Sequence, residues 1–79
     1  MAIKLTYICH DSFEASKLAK EVILNGWDMR YRAKDKRIDV LYGGHNKEEP
    51  IDLIQQMTEL YNMNITLEKT LKVNWKYQL

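Results

Sequence analysis

The sequence predicts an α+β domain in which two helices cover one face of a four-stranded antiparallel sheet. Four segments alternate apolar and polar residues, and strand side chains alternate between the two faces of a sheet. Two further segments repeat apolar residues at helical spacing. The predicted order is β-α-β-β-α-β. Two right-handed crossovers then place both helices on one face and give the strand order 4-1-3-2.

The first strand is predicted over residues 2–9 and the first helix over residues 12–25. The inward-facing residues of the strand are Ile3, Leu5, Tyr7 and Cys9. Asp11 is placed to cap the helix, with Glu14 completing a capping box. The apolar stripe of the helix consists of Ala15, Leu18, Ala19 and Val22. Asn25-Gly26 is expected to end this helix, because glycine suits the left-handed position just past a helix.

The next two segments form a predicted hairpin. Trp27, Met29, Tyr31 and Ala33 face inward in the second strand, and Ile38, Val40 and Tyr42 do so in the third. The polar run Lys34-Asp35-Lys36 joins them without the Asn-Gly or Asp-Gly pair of two-residue hairpins, so the turn type stays open. We expect both tryptophans, Trp27 and Trp75, to be mostly buried.

The second helix follows the break at residues 43–46. Pro50 fits its first turn, either with Glu49 as the cap or in a turn that begins at Asn46. The apolar stripe contains Leu53, Ile54, Met57, Leu60 and Tyr61, and Asn62 is a plausible end.

The last strand begins at Ile65. Leu71, Val73, Trp75, Tyr77 and Leu79 share its inward parity, so the strand either continues to Leu79 or breaks at Glu68-Lys69-Thr70. An unbroken strand would span about 50 Å, against about 26 Å for the first strand. Half of it would lack a neighbour, which makes a homodimer through the C-terminal strand one alternative. Its lysines argue against this pairing.

Composition indicates one domain, residues 1–79, with enough apolar residues for a single core: 46% of the chain is hydrophobic. A single Cys excludes an intramolecular disulfide framework and suits a reducing compartment. No apolar stretch approaches the length that spans a membrane, and no signal peptide is found. We therefore expect a cytoplasmic protein that does not bind membranes.

Charge is predicted to segregate between the two faces of the domain. The outward positions of the sheet are mainly basic, with Lys4, Arg30, Arg32, Lys34, Arg37, Lys72 and Lys76 against Asp28 and Asp39. The helices and their caps are mainly acidic, with Asp11, Glu14, Glu21, Glu48, Glu49, Asp52 and Glu59 against Lys17, Lys20 and Lys47. A basic face favours anionic partners. Alternatively, lysines and arginines simply keep an open sheet soluble.

The outward positions favour a protein partner over nucleic acid. They include no aromatic residue on which bases could stack. Ile8 and Leu41 are the apolar outward residues, and we expect them to meet at the centre of a basic rim, as in a protein interface. The sequence thus predicts a small regulator, adaptor or inhibitor that binds an acidic protein surface, of which a phage- or mobile-element-encoded inhibitor is one version. Nucleic-acid binding through phosphate contacts is the alternative.

A third hypothesis is a small-ligand or metal sensor at one end of the sheet. His10 and Asp11 follow the first strand, and Gly43, Gly44 and His45 follow the third. We expect these two strands to be parallel neighbours, so that the two loops share an edge near two helix N-termini, which attract anions. The simpler interpretation is that these residues form caps and a turn.

No catalytic motif is present, and we expect no enzyme activity, cofactor or resident metal. Cys9 faces inward and is expected to be a buried small hydrophobe. The element order resembles several ferredoxin-like families, including RNA-recognition, metal-carrier, amino-acid-sensing and SPOR domains. The cysteine pair of metal carriers, the aromatics of RNA-recognition domains and the membrane anchor of SPOR domains are missing. The resemblance therefore implies a fold alone.

Overall fold

The computed structural model describes residues 2–44 and 46–73. It contains β1 (Ala2–Cys9), α1 (Ser12–Leu24), β2 (Asp28–Arg32), β3 (Arg37–Tyr42), α2 (Glu48–Leu60) and β4 (Ile65–Val73). The four strands form one sheet in the order β2-β3-β1-β4, and every neighbouring pair is antiparallel. The predicted ferredoxin-like α+β fold and its strand order are confirmed.

Both ends of α1 follow the local sequence signals. At the start, Asp11 Oδ1 accepts a hydrogen bond of 2.8 Å from Phe13 N. At the end, Gly26 takes φ +79°. Trp27 N then donates to Val22 O over 3.1 Å, so the last carbonyls of the helix keep partners. The predicted cap and the predicted glycine stop are both present.

The start of α2 resolves the two alternatives for Pro50. Asn46 begins the turn, because its Oδ1 accepts from Glu48 N over 3.1 Å and its carbonyl accepts from Glu49 N over 3.2 Å. Pro50 is buried in the first turn, where a missing N–H costs nothing. Asn62 ends the helix with φ +52°.

The core lies between the sheet and the two helices. Residues of both helices, including Leu18 and Ile54, share one buried cluster with the odd-numbered residues of β1 and the even-numbered residues of β3. Both helices therefore pack on the same face, which we call the helix side. Trp27 packs against this cluster, with its ring 5.3 Å from that of Tyr42 in an edge-on arrangement. Trp27 is thus partly buried, and Trp75 lies outside the described residues.

A one-residue bulge in β4 corrects the predicted facing of the C-terminal strand. Leu67 pairs with Tyr7 but Lys69 pairs with Thr6, so Glu68 is the extra residue. One inserted residue exchanges the two faces for everything beyond it. Lys72 accordingly pairs with Ile3, on the helix side.

The pairing of β4 with β1 weakens the argument for a homodimer. From Ile65 to Val73, every β4 residue except Glu68 has a partner in β1. The described strand thus has no unpaired half. The rest of the predicted strand, residues 74–79, lies outside the described residues.

Candidate binding face of the sheet

The open face is the side of the sheet opposite the two helices, and its residues follow from the strand registers. Residues paired across antiparallel strands share a face. The first row is Asp28, Leu41, Lys4 and Leu71. The middle row is Arg30, Asp39, Thr6 and Lys69. The third row is Arg32, Arg37, Ile8 and Thr66. Ala2 and Val73 pair beyond the first row.

A buried polar network occupies the middle of the open face. Thr6 is 1% exposed and Asp39 is 5% exposed. Thr6 Oγ1 donates to Asp39 Oδ1 over 2.9 Å, and Arg32 Nε lies 2.8 Å from Asp39 Oδ2. A buried carboxylate is tolerated only when its oxygens have partners, and here both oxygens do. The network therefore fixes the position of the Arg32 guanidinium.

Arg32 and Arg37 stand directly opposite each other, which by itself is unfavourable. Each guanidinium turns to its own carboxylates. Arg32 Nη1 lies 3.1 Å from Asp35 Oδ2, in addition to its contacts with Asp39. Hydrogen bonding to Asp39 is the main cause that raises the pKa of Arg32. Arg37 Nε lies 2.6 Å from Oε2 of the bulge residue Glu68. Much of the basic charge at this end is thus neutralised within the domain.

The other end of the open face carries an apolar corner formed by Ala2, Leu41, Leu71 and Val73. Ala2, Leu41 and Val73 are buried together in a cluster separate from the main core. Leu71 is 50% exposed. Lys4 stands between Leu41 and Leu71 in the first row. This corner combines an exposed apolar side chain with a cation, which a protein partner can recognise.

Six of the nine residues predicted to bind a partner lie on the open face: Lys4, Ile8, Arg30, Arg32, Arg37 and Leu41. Their role in binding stays a prediction. Lys34 lies in the turn 33–36, in agreement with the predicted polar turn, and therefore not on the open face. Lys72 lies on the helix side, so its predicted placement was wrong. Lys76 lies outside the described residues.

The predicted apolar centre is also corrected. Leu41 is in the first row and Ile8 in the third, with the polar network between them. Leu41 is instead buried with Ala2 and Val73. Val73 and Leu71 were predicted to face the helices, but they lie on the open face. Lys69 likewise joins the open face. The consecutive polar residues 68–70, where the alternation fails, are the sequence signal that marked this change.

The predicted ligand end does not form as expected, because β1 and β3 are antiparallel. Ile3 pairs with Tyr42, whereas Ile8 pairs with Arg37. His10 and Asp11 therefore lie at one end of the sheet, and Gly43 and Gly44 lie at the other. His45 is outside the described residues. Asp11 caps α1.

Gly44 has a structural explanation within the chain. A Cβ at this position would collide with the hydroxyl and ring of Tyr42. Tyr42 donates a hydrogen bond to Glu49 Oε2 in the first turn of α2. This hydrogen bond, with a smaller effect of burial, raises the pKa of Tyr42. The space that a ligand was expected to use beside Gly44 is filled by Tyr42.

The described part of the chain was predicted to hold a buried thiol and no metal site, and the side chains concerned can be located in it. Among these residues, no three His, Cys, Asp or Glu side chains gather as a metal site. Cys9 is buried, as predicted, and its Sγ donates to Asp11 O over 3.2 Å. Burial is the main cause that raises the pKa of this thiol. A protonated, buried thiol is a poor nucleophile. The helices described here are too short and too polar to cross a membrane.

Fold and site together define a ferredoxin-like α+β domain whose open face has a buried ionic network at its centre and an apolar corner at one end. Comparisons with protein-family models, curated protein sequences and solved structures find no match for this chain.

Proposed function

We propose that this protein is a small, non-enzymatic binding protein, acting as a regulator, adaptor or inhibitor in the cytoplasm. Its open face engages an acidic protein surface. The observation that carries the proposal is the apolar corner, in which the half-exposed Leu71 pairs with Lys4, together with the cations Lys69 and Arg30 in the middle row of the same face.

Physical arguments favour such a partner. Interfaces combine an apolar centre that excludes water with a charged rim that steers association and selects partners. The buried Thr6–Asp39–Arg32 network holds the neighbouring part of the face in one conformation. A preorganised surface loses less side-chain entropy when a partner binds.

Nucleic acid is the weaker candidate for the same face. The open-face residues of the described strands include no aromatic side chain for base stacking. Arg32 and Arg37, which could contact phosphates, already bind carboxylates. Binding to random DNA or RNA with a steep salt dependence would favour this alternative instead.

The test is charge reversal on two sides of the domain. One variant carries Lys4→Glu, Arg30→Glu and Lys69→Glu on the open face. The matched control carries Lys20→Glu, Lys47→Glu and Lys72→Glu, three exposed lysines elsewhere. Both variants change the net charge equally.

Partners are captured from an extract of the source organism with the wild-type chain, and the affinity of each variant is then measured. The open-face variant should bind at least about tenfold more weakly, and the control should bind as the wild type does. Circular dichroism checks that both variants fold. Wild-type affinity in a folded open-face variant would refute the proposal.

A further inference from the structure

Three apolar side chains of the open face are buried, although none of the described helices and strands lies over them. Ala2 is 0% exposed, Leu41 9% and Val73 8%, and the three form one cluster. Both helices pack on the opposite face of the sheet. Leu71, on the same face and strand as Val73, is 50% exposed. The atoms that cover the cluster therefore leave Leu71 open to water.

The burial of Val73 shows most clearly that a cover is needed. Val73 is the last residue of β4, an edge strand with a neighbour on one side only. On that side it pairs with Ala2, whose side chain is a single methyl group. A side chain at the end of an edge strand, on the uncovered face of an antiparallel sheet, is normally in contact with water. The atoms that cover Val73 thus belong to a part of the chain outside the described residues.

The segment 74–79 has the composition expected of this cover. It follows Val73 directly, whereas positions 1 and 45, the others outside the described ranges, are single residues. Its large apolar residues are Trp75, Tyr77 and Leu79. They share the parity of Val73, which the bulge at Glu68 places on the open face. A Trp or Tyr side chain buries about 150–250 Å².

The distances also allow this segment to cover the cluster. Neighbouring strands lie about 4.8 Å apart, so β3, with Leu41, is about 10 Å across the sheet from β4. Each residue of extended chain spans up to about 3.5 Å. Two or three residues beyond Val73 therefore suffice to bring an aromatic side chain over Leu41.

We propose that the buried residues of the apolar corner, Ala2, Leu41 and Val73, are the docking site of residues 74–79, whose aromatic side chains pack on them. The segment acts as a removable cover, because its release exposes these three side chains on the open face. This packing is a property of the free chain and needs no partner. It therefore stands or falls separately from the proposed function.

The first test is NMR on the full chain in the absence of any partner. Nuclear Overhauser contacts should connect ring protons of Trp75 or Tyr77 with methyl groups of Leu41 and Val73. A mixture of labelled and unlabelled chain separates contacts within one copy from contacts between copies. The absence of these contacts would overturn the proposal. Contacts found only between copies would also overturn it, and would identify a second copy of the chain as the cover.

A pair of variants then tests the cover itself. Trp75→Ser with Tyr77→Ser removes the aromatic rings, and the matched control is Lys76→Ser with Gln78→Ser in the same segment. The dye ANS fluoresces on exposed apolar surface. The aromatic variant should bind ANS severalfold more strongly than the wild type does, and the control should bind it as the wild type does.

Methyl signals show whether the change is confined to the corner. In the aromatic variant the signals of Leu41 and Val73 should shift, while those of Leu18 and Ile54 in the core on the helix side should stay in place. An aromatic variant with unchanged ANS binding and unchanged signals of Leu41 and Val73 would overturn the proposal. If this variant does not fold, the contacts measured in the wild-type chain decide.

Discussion

Tyr7 and Tyr42 are buried tyrosines of the same core, but their hydroxyl groups have different surroundings. The Tyr42 hydroxyl donates to Glu49, whereas that of Tyr7 has no partner among the described residues. A buried polar group without a partner costs about 1–3 kcal/mol of stability. The two side chains therefore respond in opposite ways to loss of the hydroxyl.

Tyr7→Phe should raise the free energy of unfolding by about 1 kcal/mol, because it removes an unsatisfied donor. Tyr42→Phe is the matched control and should lower it by about 1 kcal/mol, because it removes a satisfied one. Urea unfolding at pH 7 measures both. A loss of stability in Tyr7→Phe would show that its hydroxyl has a partner.

The stability of the protein at alkaline pH tests the burial of the Tyr7 hydroxyl. The folded-state pKa of Tyr7 lies above its ordinary value of 10.0, so the folded chain holds this proton more tightly than the unfolded chain does. Tyr7 therefore causes no pH dependence of stability below pH 10, where both states keep the proton, and it lowers stability as the pH rises from 10 toward the folded pKa. Tyr42 shifts in the same direction.

We expect the wild type to lose stability above pH 10 faster than Tyr7→Phe does. The difference should grow by up to about 1.4 kcal/mol per pH unit, the value for one proton. Chemical unfolding between pH 8 and pH 11 measures it. Parallel pH profiles for the two chains would contradict the burial of the Tyr7 hydroxyl.

At the scale of elements, the helix ends could be predicted from the sequence because each is set by residues close to it in the chain. Asp11, Gly26 and Asn62 mark helix ends through their own backbone and side-chain chemistry, and each lies where predicted. The facing of β4 could not be derived in this way. The alternation of inward and outward residues can be extended along a strand only while its pairing register is regular. The extra residue Glu68 reverses which residues face inward.

Deletion of Glu68 tests the bulge. Leu67 and Lys69 would become consecutive opposite Tyr7 and Thr6, so both halves of β4 would keep their partners. The lost ion pair with Arg37 is partly exposed, and such pairs contribute about 0–1 kcal/mol. We therefore expect a folded chain that loses no more than about 1.5 kcal/mol in urea unfolding.

Deletion of Thr70 is the control. It would move Leu71 to the helix side and bring Lys72 opposite Lys4, placing like charges face to face. This variant should lose more stability than the Glu68 deletion, by about 1 kcal/mol or more. Equal losses in the two deletions would argue against a bulge at residue 68.

At the scale of the whole molecule, two site errors had different origins. The opposite directions of β1 and β3 follow from the element order, because a crossover makes strands one and two parallel and the hairpin then reverses strand three. The predicted ligand end was thus avoidable. The buried Asp39 was not predictable, since its partners Thr6 and Arg32 come from two other strands.

The predicted strand-mediated homodimer would form through the outer edge of β4. The residues from Thr66 to Lys72 are exposed, and an exposed edge strand can pair with another chain. Three features oppose such pairing: the bulge, which twists the edge, and the charges of Lys69 and Lys72.

We therefore expect the full chain to sediment as a monomer of 9.4 kDa at high micromolar concentration and moderate salt. Lys69→Thr with Lys72→Thr removes the charges but keeps the bulge, so this variant should associate more strongly than the wild type. A wild-type mass near twice the monomer value would show that the bulge and the lysines do not protect this edge, and would support the strand-mediated homodimer.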